Sequence, residues 1–482
     1  MDIAERLREV EREIAARRPE HQIEPSLDRI AMLTGLLGEP QRACPVIHVT
    51  GTNGKTSMTR MIDALLRERG LRTGRFTSPH LVSMRERIAI DGQPLGAGRF
   101  VELHDEILPY VRLTDGRQPV PLSFFEVLTG MAFAAFADAP ADVAVLEVGL
   151  GGTWDATNVA DGAVAVVGPV AMDHMNYLGD TLEAIAGEKA GIIKTGAVAI
   201  LAQQPLPAAE VLMRRVADVG ASVAREGIEF GVVGRELAVG GQQITLRGLR
   251  GTYDEVYLPL FGEHQAGNAA CALAAVEAFA GVADGGDGAP GAAPGAALDP
   301  GLVRDAFAKV GSPGRLEVLR RSPTVIADAA HNPAGMAATV AALEESFRFT
   351  RLIGVFAVSA DKDVTGLLAE LEPVLSDIVV TRNSFGRSMA PERAALIASD
   401  IFGEDRVRVA ERLDDAIEIA VGLADEPSGE DDVPGSTGVL ITGSVITAGD
   451  ARLLLAPGAP ADAPEPPAGT PARHSFTAGD LS

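Results

Sequence analysis

Cysteine, tryptophan and tyrosine are scarce in this 482-residue chain, at two, one and four copies. Cys44 and Cys271 are too few for a disulfide framework or a cysteine-rich metal centre, and both are expected as buried thiols. Basic residues are also short: 42 Lys and Arg stand against 66 Asp and Glu, a formal charge of −24. Phosphate backbones and anionic lipids require a surplus of positive charge, so nucleic acid and membrane surfaces are poor candidate partners. Any anionic substrate must meet local positive groups. The longest apolar stretches, such as Val164 to Val170, fall well short of the ~20 residues that span a bilayer. The N-terminal MDIAERLREVEREIAARRPE is charged throughout and lacks the apolar core of an export signal, so the cytoplasm is the expected location. What is present is core material. Hydrophobic residues make up 46% of the chain, which excludes whole-chain disorder, and at roughly 150 residues per domain two or three domains are expected.

Continuous Val, Ile and Ala runs mark strands at Cys44 to Thr50, at Asp142 to Val148, near 165 and near 200. They do not alternate with polar residues and are separated by helix-length segments, which is the pattern of parallel strands buried on both faces of a doubly wound α/β sheet. Helical spacing occurs at Ser57 to Arg69, Gly98 to Val111, Phe124 to Ala137 and Leu182 to Ala190. The stretch from Gly281 to Pro300 is nearly all Gly, Ala, Pro and Asp and reads as a loop insertion. Beyond it TVIADAAHNP, RLIGVFAV, DIVVTRN, RVRVA and GVLITGS are again strand-like. Helical patterns lie between them at Pro333 to Ser346, Pro391 to Ser399 and Leu413 to Leu423. The expectation is an N-terminal domain over 1–311 and a smaller, Rossmann-like α/β domain over 312–456. A mobile loop is expected from Asp425 and a disordered tail over 457–482.

The strand CPVIHVT runs directly into GTNGKTS and then into a helix. In that context the backbone N–H groups of Thr52, Asn53 and Gly54, after Gly51, can face phosphate oxygens, with Lys55 reaching the terminal phosphates and Thr56 beside a bound Mg²⁺. Val49 stands where the full phosphate-loop pattern has its first Gly, which leaves an ordinary Gly-rich turn as the alternative. Glu147, in LEVGLGGTWDATN, ends a buried strand, where an unpaired carboxylate would be driven toward neutrality; a cation or a nearby Arg must answer it. Arg315, in SPGRLEV at the domain junction, can clamp a phosphoryl group with two donors or be a surface residue of a hinge. TSPH from Thr77, DHMNYLG from Asp173, AIAGEKAGIIK, GEHQAGNAACAL and DAAHNPAG complete an ordered set.

GTNGKT and the motifs that follow it resemble the Mur ligase superfamily, and within it the folylpolyglutamate synthase and bifunctional dihydrofolate synthase family, from about residue 20 to 455. The resemblance implies ATP and Mg²⁺, two ions, with Ser78 and His174 as metal ligands beside Glu147 and Thr56. Imidazole is an unusual Mg²⁺ ligand, so His174 rests on the resemblance alone. It also implies that Lys189 is carbamylated, which would make it an anionic oxygen ligand; read alone, Lys189 is a solvated helix residue paired with Glu183 or Glu188. Asn268, placed in the first turn of a helix where Asn is often a cap, and Asp328, at the end of the first C-terminal strand, would contact ATP with Arg315. His331 and Asn332 would help to bind glutamate, and Lys362, Arg387 and Ser388 would hold its anionic groups.

The pterin-bearing substrate, dihydropteroate or a reduced folate, would lie at Glu24, Pro25 and Ser26 and at Ser123, Phe124 and Phe125. Pro25 and Ser26 depart from the commoner Leu and Gly of relatives. The implied reaction joins L-glutamate to a carboxylate through an acyl phosphate, with Lys55, Lys189, His174 and Arg315 as the catalytic set, in a monomer. The alternatives are a Mur-type ligase acting on a UDP-linked cell-wall precursor, a phosphate-loop regulatory ATPase and an ATP-binding interaction module.

Overall fold

The computed structural model describes residues 2–20, 22, 24–283, 297–426 and 437–456. Two large sheets lie on either side of residue 312. The N-terminal sheet has eight strands in the order Gln93–Pro94, Ile88–Ile90, Thr73–Phe76, Val143–Glu147, Val46–Thr50, Gly162–Val167, Val198–Leu201 and Ser222–Arg225. Its six strands from Thr73–Phe76 onward run parallel; the two at the other edge are antiparallel. Strand alternation sends Ile47, Val49, Val143 and Val145 to a core shared with the helices Lys55–Glu68 and Glu263–Ala283. Val46, Ala144 and Leu146 face the opposite core, under Phe124–Asp138. Both faces are therefore covered, which is why these strands read as unbroken apolar runs.

The second sheet runs Glu317–Arg321, Thr324–Ala327, Thr437–Thr442, Arg351–Phe356, Asp377–Val380 and Val407–Val409. All pairings are parallel except the first. The expected α/β class, doubly wound first sheet and second Rossmann-like unit are all present, and the helix at Leu182–Ala190 has the expected bounds.

Several details differ. Glu317–Arg321, which begins inside the expected junction segment Ser312 to Val318, is the first strand of the second sheet, so Asp328 follows the second strand. A three-stranded antiparallel sheet of Gly231–Ala238, Gly241–Arg247 and Thr252–Leu258 was not expected. Its outer strand is mostly exposed and carries no unbroken apolar run. Asn268 is the sixth residue of Glu263–Ala283, in the second turn and not at a cap. The loop insertion expected at 281–300 is helical at its start, and at its end buried Leu298 and the capping Asp299 lead into the helix Pro300–Ala308. The rest of that stretch, most of the loop expected from Asp425 and the tail 457–482 lie outside the described residues. Cys271 is buried as expected, whereas Cys44 is half-exposed. Among the described residues no helix is long and apolar enough to cross a membrane.

Candidate active site

The loop after Val46–Thr50 leaves the sheet between its two neighbours, Val143–Glu147 and Gly162–Val167, at the carboxyl ends of the strands where α/β sheets gather ligands. Gly54 has φ +81°, and a Cβ there would lie 2.4 Å from the Asn268 side-chain oxygen. Only glycine allows both this turn and that approach. Lys55 folds back on the loop, its Nζ donating to the carbonyls of Gly51 at 3.0 Å and Thr52 at 3.1 Å. Lys189, read alone as solvated, is instead buried, and its Nζ donates to Gly51 O at 2.8 Å. Burial lowers both amines: Lys55 is partly restored by the charge of Glu147, and Lys189 falls to about 7 under burial and the repulsion of Lys55.

Glu147 is buried at the end of its strand. Its Oε1 accepts from Thr56 Oγ1 at 2.8 Å and its Oε2 from the Ser78 backbone N–H at 3.1 Å. Burial raises its pKa against the opposing pull of Lys55. The charges of Arg315, Arg60 and Arg75 also reach it. The carboxylate and hydroxyl oxygens of Glu147, Thr56 and Ser78 suit Mg²⁺. Among the described residues no group of three or more His, Cys, Asp and Glu is placed to hold a metal. A bound ion would therefore draw on hydroxyl and phosphate oxygens as well.

The second sheet's side brings His331, Asn332 and Lys362 to the opposite wall, where they meet Asp173 and His174 of the first. Asp173, before His174, receives Lys362 Nζ at 2.8 Å and Asn332 Nδ2 at 3.0 Å. His174 and His331 each place Nε2 3.7 Å from Asp173 Oδ2, the oxygen that accepts from Asn332. Burial opposes ionisation of Asp173, yet the charges of His174, Lys362 and His331 hold its carboxyl below the usual range. Burial, then Lys362, lowers His174 to about 3 and His331 to about 4. Asn332 also exchanges two amide hydrogen bonds with Asn53 of the phosphate loop, at 3.0 and 3.2 Å, while its Oδ1 caps the helix Pro333–Ser346. Gly51, Thr52, Lys55, Asp173, His174, Lys189 and His331 thus line one cleft between the two sheets.

Asp328 is buried and accepts from Leu316 N at 2.9 Å, Ala330 N at 2.9 Å and Thr339 Oγ1 at 2.8 Å. It fixes the turn that carries half-buried Arg315, whose charge reaches Lys55 and Glu147.

Two family models match the chain: the Mur ligase middle domain over residues 123–276 and the glutamate ligase domain of Mur ligases over 314–445. The dihydrofolate synthase/folylpolyglutamate synthase of Mycobacterium tuberculosis is 51% identical over 466 residues, covering 93% of this chain and 94% of that protein. The chain belongs to the folylpolyglutamate synthase/dihydrofolate synthase family. A structure of the M. tuberculosis folylpolyglutamate synthase complexed with ADP and AMPPCP superposes with a TM-score of 0.87, at 51% identity, over 94% of this chain and 99% of that one. Escherichia coli FolC in complex with DHPP and ADP gives 0.77, at 28% identity, over 94% and 97%. The chain is accordingly an ATP-dependent ligase of the Mur superfamily, and the regulatory and non-enzymatic readings have no support among these relatives.

None of the expected pterin residues lines the cleft itself, but Phe125 packs on Gly149, which does. Ser123 caps the helix Phe124–Asp138, its Oγ accepting from Glu126 N at 3.2 Å. Phe125 packs on Phe76, with ring centroids 5.6 Å apart, and against Gly149. Phe124 is covered by the Arg87 guanidinium, 4.9 Å from its centroid. Pro25 and Glu24 are exposed, Glu24 paired with Arg18 at 2.6 Å, and Ser26 Oγ accepts from Asp28 N. Arg387 is 3.4 Å from Asp361, and Ser388 Oγ accepts from Asn383 N. Asp173 carries no role legible in its own motif. Its partners come from residues 331, 332 and 362, so no local pattern could have shown it.

One buried and one half-buried imidazole near the site, His48 and His80, bear on stability. His48 Nε2 meets Thr157 Oγ1 at 2.8 Å, and His80 Nδ1 accepts from Arg87 Nε at 2.9 Å. Burial lowers each from 6.5 to about 3, helped by Lys194 and Arg87 respectively. The unfolded chain then binds more protons than the native one between these values, so stability is highest above pH 6.5 and falls toward pH 3. Urea midpoints should drop from pH 7 to pH 5, and His48→Gln should make the drop shallower; an unchanged midpoint in the unsubstituted protein would refute this.

Proposed function

We propose that the protein joins L-glutamate to the carboxylate of tetrahydrofolate, its polyglutamates and dihydropteroate, releasing ADP and phosphate. The observation that supports this best is the single cleft in which Lys55, Lys189 and Asp173 of the phosphate-loop side face His331 of the glutamate-ligase side, with Lys362 of that side paired to Asp173. The substrate carboxylate attacks the γ-phosphorus of ATP, the bond to ADP breaks, and an acyl phosphate forms. The neutral amine of glutamate then adds to the acyl carbon and phosphate leaves, the amine's proton passing to solvent or a nearby base. Lys55 and Arg315 stabilise charge on the transferred phosphoryl group, and Gly51 to Thr56 orient the nucleotide against the helix N-terminus. Asn268 and Asp328 position the nucleotide, Asp328 through the turn of Arg315.

Mg²⁺, when bound, supplies Lewis-acid stabilisation of phosphate oxygens; Thr56, Ser78 and Glu147 would hold one ion, and His174 with carbamylated Lys189 a second. The depressed Lys189 amine supports carbamylation, since only the neutral form adds CO₂. His331, Asn332, Lys362, Arg387 and Ser388 receive glutamate, and Glu24, Pro25, Ser26, Ser123 and Phe125 border the pterin. The same reading makes the enzyme a cytoplasmic monomer with domains over 1–311 and 312–456. It acts on small molecules without a nucleic acid or membrane partner, which the −24 charge supports.

The test is phosphate release with Mg·ATP and L-glutamate, adding dihydropteroate in one reaction and tetrahydrofolate in another, with mass analysis of products. Release should require all three substrates and give products heavier by one glutamyl unit. Release without an acceptor, or unaltered acceptors, would overturn the proposal.

A further inference from the structure

Away from the cleft lining, one side chain from the first sheet's side enters an apolar cluster of the second. Leu81 packs against buried Ala327, Ala329 and Ala448 together with Leu319 and Val445, and among the described residues it is the one member of that cluster from before residue 312. Two glycines make room for it. Gly449 lies inside the helix Val445–Leu455, where alanine is otherwise preferred, yet a Cβ there would lie 2.9 Å from the Leu81 carbonyl carbon and overlap its oxygen. Gly314 has φ +70°, and a Cβ there would meet Leu81 Cδ2 at 3.1 Å. Each side of this contact leads to a group placed at the phosphoryl centre. Leu81 comes three residues after Ser78, whose N–H donates to Glu147. Buried Glu86 holds Leu81 in turn, accepting from the N–H groups of Leu81, Val82 and Ser83 at 3.0, 3.1 and 2.7 Å. On the other side Gly314 immediately precedes Arg315, and Ser312 Oγ lies 3.0 Å from Ser57 Oγ, on the helix that opens at Lys55. The turn of Arg315 therefore meets the first sheet's side at two points, Ser57 and Leu81.

We propose that Leu81 is a positioning residue for phosphoryl transfer: seated between Gly314 and Gly449, it fixes the Ser78–Glu147 pair relative to Arg315. The inference rests on the ligase reading above, in which these groups act on one phosphoryl group from the two sides of the cleft. A close-packed contact suits the task because it resists displacement in every direction, whereas a void lets its surroundings shift. A displacement of about 1 Å at the reacting atoms costs up to roughly 10²-fold in rate. Leu81 does not line the cleft, so its effect belongs to turnover and not to capture of the nucleotide by the phosphate loop.

The experiment measures kcat and KM for Mg·ATP, with L-glutamate and tetrahydrofolate, at a temperature where a thermal melt shows each variant folded. Leu81→Ala should lower kcat by roughly 10- to 100-fold while KM for Mg·ATP changes less than about threefold, because the phosphate loop and Lys55 are untouched. Leu81→Met, which keeps the volume, should hold kcat within about threefold of the unsubstituted protein. Gly449→Ala disturbs the same contact from the other side and should give the same signature as Leu81→Ala. Combined, the two should cost less than the product of their separate effects, since they act on one contact. A folded Leu81→Ala or Gly449→Ala protein with unsubstituted kcat overturns the proposal, and so does a loss carried by KM for Mg·ATP alone or a Leu81→Met protein as slow as Leu81→Ala. Should Leu81→Ala not fold, Gly449→Ala decides by the same readout; if neither folds, the contact is structural and the proposal fails. An unsubstituted protein that ligates no acceptor overturns the ligase reading instead, and the positioning role with it.

Discussion

Lys55→Ala protein is expected to fold, bind Mg·ATP more weakly, and lose glutamate ligation by a factor of roughly 10² to 10³ or more. The size follows from geometry. Lys55 stands over the phosphate loop with its ammonium on the carbonyls of Gly51 and Thr52, and nothing else in the loop's own sequence carries positive charge. When triphosphate enters, that ammonium can leave the two carbonyls and meet the phosphoryl oxygens with little rearrangement. Removing it costs the fold little, because the side chain is already partly unfavourable where it is: burial lowers its pKa. Lys189 donates to the same Gly51 carbonyl, and the charge of Lys55 adds to burial in lowering its amine. The check is acceptor-dependent phosphate release alongside a thermal melt. Normal ligation by a variant that melts like the unsubstituted protein would remove Lys55 from the mechanism.

Glu147→Gln should separate activity from stability in opposite directions. Gln can still accept from the Ser78 N–H and can donate to Thr56, so the local hydrogen bonds survive. What disappears is a buried negative charge whose desolvation is already visible as a raised pKa. The melting temperature should stay level or rise, because burial outweighs the pull of Lys55 on this carboxylate and its relief outweighs the loss of that pull. Ligation should nevertheless fall by roughly two orders of magnitude or more, since the anionic oxygen that suits Mg²⁺ beside the phosphates is gone. Raising Mg²⁺ should restore part of the rate. A variant that is both less stable and fully active would mean that Glu147 is structural, held there for Thr56 and Ser78 alone. Active sites commonly carry this conflict between a well-solvated charge and a usefully buried one.

The sequence alone determined the class of fold and the site's N-terminal half. Strands buried on both faces must be apolar at every position, so Val46–Thr50, Val143–Glu147 and Gly162–Val167 are visible as runs. A phosphate cradle is equally local: strand, glycine turn, Lys55 and helix are adjacent in the chain, and the backbone geometry that makes the loop is written in consecutive residues. The exposed antiparallel sheet from Gly231 to Leu258 escaped, because strands with a solvated face and few long apolar runs have weak local signatures. Only tertiary structure decided what Asp173, Lys189 and Asn332 do. A carboxylate's worth depends on the charges within a few ångströms, and for Asp173 two of the three, His331 and Lys362, arrive from 158 and 189 residues away. Burial of Lys189 against Gly51, which sets its amine near neutrality, likewise depends on a helix packing across the sheet, and no pattern within AIAGEKAGIIK distinguishes that from a lysine in water.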